Sequence, residues 1–129
     1  MDKIFKRYNE NQKQLKIDCV DLLSKYYLML GQKPDSEQIV IMAQFLYQDC
    51  IQKYGGMTLE EIDFAITQGI RNGEGSCFIN VRTWNQFIKE HKTKEQLQRQ
   101  QRLITDYQKE KESQKLISKT INKAKQLNQ

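Results

Sequence analysis

The sequence predicts an all-α protein: a compact four-helix domain followed by a long, basic, partly flexible helical extension. Apolar residues recur at three- and four-residue steps in segments bounded by glycine, proline or capping residues, which is the signature of amphipathic helices. From His91 onward the chain holds no Gly or Pro and is rich in Lys, Gln and Glu, a composition that favours helix with little to bury. A chain of 129 residues has room for one small domain with accessory segments.

The expected organisation is a flexible segment over 1–12, a helical domain over 13–91 and a basic helical or disordered tail over 92–129. The first helix, Lys13 to Leu30, carries Leu15, Cys19, Leu22, Leu23, Tyr26 and Leu30 as one apolar stripe, and Gly31 supplies its stop. Pro34 then breaks the chain. Asp35 is placed to cap the second helix, with Gln38 three residues on reaching back to it. That helix, Ser36 to Lys53, has Ile39, Met42, Ala43, Leu46, Cys50 and Ile51 on one side, while Val40, Ile41, Phe45 and Tyr47 broaden its apolar arc.

Gly55 and Gly56 end the second helix, and Thr58 caps the third, with Glu61 as its reciprocal partner and Met57 and Ile62 spaced as a hydrophobic staple. Ala65 and Gly69 lie on its inner face, where small residues admit a close neighbour. Residues 72 to 76 read as a loop, and Cys77 to Ile79 as a short apolar run. Asn80 caps a fourth helix that turns Val81, Trp84, Phe87 and Ile88 inward. The expected core contains Leu22, Leu23, Ile39, Met42, Leu46, Ile62, Ile66, Trp84 and Phe87. Beyond Glu112 the helix is expected to fray, because Lys115, Lys119 and Lys123 stand four apart on one face and repel. The tail's apolar positions do not hold a clean heptad for three repeats, so its pattern does not by itself indicate a coiled coil.

Charge is partitioned along the chain. Residues 1–33 carry 7 basic and 4 acidic side chains, residues 34–80 carry 2 and 7, and residues 81–129 carry 12 and 5. A basic tail beside an acidic middle suits either internal pairing or two different partners. No apolar run approaches the ~18–20 residues needed to cross a bilayer, and the first residues do not read as a signal peptide, so a cytoplasmic protein without membrane association is expected.

Most chemistries find no support in the spacing. Cys19, Cys50 and Cys77 are about thirty residues apart without a nearby second ligand, so reduced thiols are expected and no metal site. His91 is the sole histidine and has no sequence-placed nucleophile or acid. Glu60, Glu61 and Asp63 fall at a helix start, where the helix dipole accounts for them. Gly73 to Ser76 lacks the ending of a phosphate loop. No catalytic residue, metal ligand or cofactor is therefore expected. Trp84, beside Arg82, reads as core ahead of a base-stacking platform. The basic residues remain: Arg82, Lys89, Lys92, Lys94, Arg99 and Arg102 are the candidate contacts for nucleic acid or an acidic protein.

The succession from Lys33 to His91, with "Pro-Asp-Ser-Glu-Gln", "Met-Thr-Leu-Glu-Glu-Ile-Asp-Phe-Ala-Ile-Thr-Gln-Gly", a Gly-rich loop and "Asn-Val-Arg-Thr-Trp-Asn-Gln-Phe-Ile-Lys-Glu-His", resembles small helical replication-accessory proteins of phages and mobile elements, of the non-ATPase helicase-loader type. The resemblance implies a non-catalytic adaptor in phage or mobile-element DNA replication, its body and tail contacting different partners, a replicative helicase and DNA among them. The alternative is a structural, self-associating protein in which the acidic middle of one chain receives the basic tail of another.

Overall fold

The computed structural model describes residues 1–73 and 77–127; Glu74, Gly75 and Ser76, in the loop expected over 72–76, lie outside the described residues. Among the described residues five helices follow one another: α1 (Ile4–Glu10), α2 (Gln12–Met29), α3 (Ser36–Lys53), α4 (Leu59–Asn72) and α5 (Val81–Leu127). No β-strand occurs among the described residues, and the fold class is all-α. The chain divides into two compact units, Met1–His91 and Lys92–Gln129.

Within the first unit, the segment expected to be flexible over 1–12 instead forms α1, with Ile4 fully buried. The physical reason is distant in sequence. The first N–H groups of a helix have no partner inside it. Here the Ile4 N–H donates to the Met57 carbonyl at 2.8 Å and the Phe5 N–H to the Gly55 carbonyl at 3.1 Å, so the α3–α4 loop caps α1. Asn11 then serves two helices: its N–H donates to Arg7 O at 2.8 Å to close α1, and its side chain accepts from the Gln14 N–H at 3.2 Å to open α2. The Arg7 guanidinium pairs with Asp18, which ties α1 across to α2.

α2 ends as the glycine at position 31 directs. Gly31 has φ 68°, its N–H donates to Leu28 O and the Gln32 N–H to Tyr27 O, the paired bonds of a Schellman motif. The reciprocal cap between Asp35 and Gln38 forms at the start of α3. At α4 only half of the expected box is made: the Glu61 N–H donates to Thr58 Oγ1 at 3.1 Å, while the Met57 and Ile62 staple is buried. Asn80 accepts from the Thr83 N–H at 3.0 Å at the start of α5.

The core lies where α2 and α3 pack most extensively, closed by α1, α4 and the opening turns of α5. Leu23, Leu46, Ile62, Ile66 and Trp84 are fully buried, whereas Leu22, Ile39, Met42 and Phe87, also expected in the core, are half-buried and packed against it. Cys19 and Cys50 meet inside the α2–α3 contact; the hydrogen bond to Cys19 and burial push the Cys50 thiol up. All three cysteines are free thiols.

Two carboxylates tie elements together. Asp49 on α3 accepts from Trp84 Nε1 and Asn85 Nδ2, both at 2.9 Å, and Asn85 receives the Tyr54 hydroxyl. Asp63 accepts from the Tyr26 hydroxyl at 2.9 Å, Lys25 at 2.6 Å and Thr67 at 3.2 Å, joining α2 to α4. Asp63 therefore acts as a lateral tie between helices, in contrast to Glu60 and Glu61, which stay exposed in the first turn of α4.

In the second unit α5 continues as helix through Leu127, so the fraying expected beyond Glu112 is not seen. Three exposed lysines at i,i+4 spacing cost only tenths of a kcal/mol each against one another. A stretch without Gly or Pro and rich in Lys, Gln, Glu and Leu outweighs them.

Candidate functional site

The six basic candidates all lie on α5, because a charged side chain at its first turns cannot share the face taken by Trp84 and Ile88. In the first unit Arg82 and Lys89 are exposed and, being seven apart, share a helix face. In the second unit Lys92, Lys94, Arg99 and Arg102 are exposed. At 100° per residue, Lys92, Arg99 and Arg102 fall within one arc of about 80°, while Lys94 points to the other side. Among the described residues no ion pair engages Arg82, Lys94, Arg99 or Arg102. Asp106 sits one turn beyond Arg102 on the same arc, so the strip is basic with an acidic interruption.

Trp84 has no exposed surface, and its indole N–H is committed to Asp49. A buried ring cannot stack on a base, so Arg82 presents its charge without an aromatic platform beside it. His91 packs edge-on against the Phe64 ring at 5.5 Å. Among the described residues no cluster of three His, Cys, Asp or Glu side chains could hold a metal ion.

The sequence reading missed a second surface on the first unit. The α2–α3 turn and the segment before α5 are drawn together when Gln32 Nε2 donates to the Cys77 carbonyl at 3.1 Å. Between them lies a groove of about 420 Å³ in which buried Tyr27 and Ile79 are flanked by Ile41, 54% exposed, and Phe78, 69% exposed. The signal for it was present. α3 carries more apolar residues than one buried stripe can use, and Val40, Ile41 and Phe45 are the surplus that faces out.

No family model, curated protein or solved structure matches this chain. Chemical reading of the surface therefore rests on its own side chains. Exposed guanidinium and ammonium groups on a helix attract phosphates without reading bases, since the contact is to charge and not to base edges. An apolar groove of side chains at two chain turns offers a dry contact to a protein segment. No helix among the described residues is long and apolar enough to cross a membrane.

Proposed function

We propose that this chain is a non-catalytic adaptor that contacts a polyanion through its basic tail and a protein through its helical body. In the setting implied by its resemblance to replication-accessory proteins of phages and mobile elements, the polyanion is DNA and the protein a replicative helicase, both met in the cytoplasm. The observation that carries the reading is the division of the chain: Lys92–Gln129 is a unit of its own, helical through Leu127, with Lys94, Arg99, Arg102, Lys109, Lys115, Lys119 and Lys123 all exposed. Such a surface suits phosphates along a strand better than a single small ligand. The groove at Ile41 and Phe78 supports the second contact, because exposed apolar side chains gathered in one place favour a protein partner.

The test is anisotropy of labelled single-stranded DNA titrated with the full chain across a salt series. Arg99→Ala with Arg102→Ala weakens binding equally for unrelated sequences. It also reduces the slope of log affinity against log salt by about 1.4, at roughly 0.7 per lost contact on a single strand. Binding that ignores both salt and these substitutions refutes the polyanion role. Retention of a helicase by the full chain but not by Phe78→Ser supports the body contact.

A further inference from the structure

Among the exposed apolar residues of the second unit, Leu97, Ile104 and Leu116 stand apart, and the other four described ones line up. Leu103, Tyr107, Ile117 and Ile121 are 70%, 62%, 59% and 50% exposed, yet they fall on a single seam with Glu110 and Gln114 between them. The steps along that seam are four, three, four, three and four residues, and Gln100 and Ala124 extend it by three at each end. This is the 3.5-residue repeat that keeps one face turned toward another helix when the two supercoil. Five of the tail's basic residues keep clear of it, while Arg99, Asp106 and Lys111 flank it. Arg102, Lys109, Lys115, Lys119 and Lys123 all occupy the positions farthest from the seam.

The order of residues along the seam selects the occupant. From 103 to 121 it reads apolar, apolar, polar, polar, apolar, apolar, and it reads the same backwards. A second copy running in the opposite direction therefore matches it at every layer, without any further requirement on a foreign sequence.

We infer that the seam of α5 from Gln100 to Ala124 pairs with the same seam of a second copy of this chain, the two helices antiparallel. Leu103 then meets the partner's Ile121, Tyr107 meets the partner's Ile117, and Glu110 meets the partner's Gln114, whose side-chain amide can donate to the carboxylate. A parallel pair would set Glu110 against its own copy within the seam, where two carboxylates are partly desolvated. Its compensation, Asp106 beside the partner's Lys111, is an exposed rim pair, and rim pairs contribute less than a seam charge costs. The antiparallel pair brings Lys111 beside its copy, but at the rim, where water and salt screen the repulsion. The seam spans about three heptads, roughly 36 Å of helix at 1.5 Å per residue, so the association is weak and concentration-dependent. The basic faces of both helices stay outward in the pair. The inference does not depend on the adaptor reading, since it draws on the seam and not on the basic face.

The test is sedimentation of the full chain over a wide concentration range at low and high salt. The expected result is a monomer–dimer equilibrium that persists at high salt. Ile117→Lys with Ile121→Lys should weaken it at least about tenfold, while Leu116→Lys on the outward face leaves it within about twofold. For direction, a tagged Leu103→Cys chain is mixed with an untagged Ile121→Cys chain, both carrying Cys77→Ser, and oxidised. Cross-links between unlike chains support the antiparallel pair, and cross-links only between like chains overturn it. A monomer at every concentration overturns the inference. So does a dimer that salt dissolves and the seam substitutions spare, an outcome that would point to the acidic middle as the tail's receptor.

Discussion

The ring of Phe87 occupies the space in which a side chain on residue 69 would begin: a Cβ placed on Gly69 would fall onto the ring itself. Gly69 lies within α4 and Phe87 in the second turn of α5, so this contact fixes how closely the two helices approach. Elsewhere in a helix Gly→Ala gains about 1 kcal/mol from backbone propensity. At this position overpacking of roughly 1–3 kcal/mol opposes that gain, because the overlap reaches the ring's root atom and cannot be relieved by a small swing of its far edge. Gly69→Ala is expected to destabilise the body by about 1 kcal/mol, measured by urea unfolding. Phe87→Leu in the same chain should recover part of the loss.

Asp49 holds the indole of Trp84, the chain's single tryptophan. Asp49→Ala leaves a buried N–H without its acceptor and is expected to cost about 1–3 kcal/mol. Tryptophan fluorescence checks it. The native emission should be blue-shifted, as a fully buried indole requires, and the variant should reach its red-shifted unfolded emission at lower urea. Asp49→Asn retains one acceptor oxygen and should fall between the two.

Burial, followed by the neighbouring Asp63 carboxylate, pushes the Tyr26 hydroxyl far above its usual range. The folded state thus holds this proton more tightly than the unfolded chain, whose tyrosines titrate near about 10. The associated stability is complete below that pH and declines as pH rises above it. Tyr26→Phe should cost about 1 kcal/mol at neutral pH for the lost hydrogen bond to Asp63. Above about pH 10 the gap to the parent chain should narrow. Burial also raises Tyr27, Tyr47 and Tyr54, so a residual alkaline slope should remain in urea titrations.

Asn11 closes α1 and opens α2 with one residue. Asn11→Ala removes the acceptor for the Gln14 N–H and should lower the midpoint of unfolding by the equivalent of about 1 kcal/mol. Asn11→Asp keeps that acceptor and should be close to neutral. Amide exchange should show the loss first at Gln14.

What the sequence disclosed and what it withheld follow from the range of the interactions. Gly31, Asp35, Thr58 and Asn80 act on backbone groups within a few residues of themselves, so their effects are legible one segment at a time. α1 was not, because its seven residues are too few to show a stripe and its caps come from Gly55 and Met57. The ties from Asp49 and Asp63 join residues more than thirty apart, and no local pattern announces them. On the candidate surface, exposure of Arg82, Lys89 and the tail's basic residues could be anticipated from their charge. Of the groove only the apolar surplus of α3 was legible, since the groove itself exists only once Gln32 and Cys77 are brought together.

The capping of α1 by the α3–α4 loop sets an order on synthesis. Ile4 and Phe5 leave the ribosome some fifty residues before the carbonyls they bind, and a seven-residue helix has no stability alone. α1 must therefore wait, unformed and with Ile4 in water, until α2, α3 and the loop after them have been made. The earliest of the five described helices to be translated is thus secured only after the two that follow it, and its docking closes a backbone loop of some fifty residues.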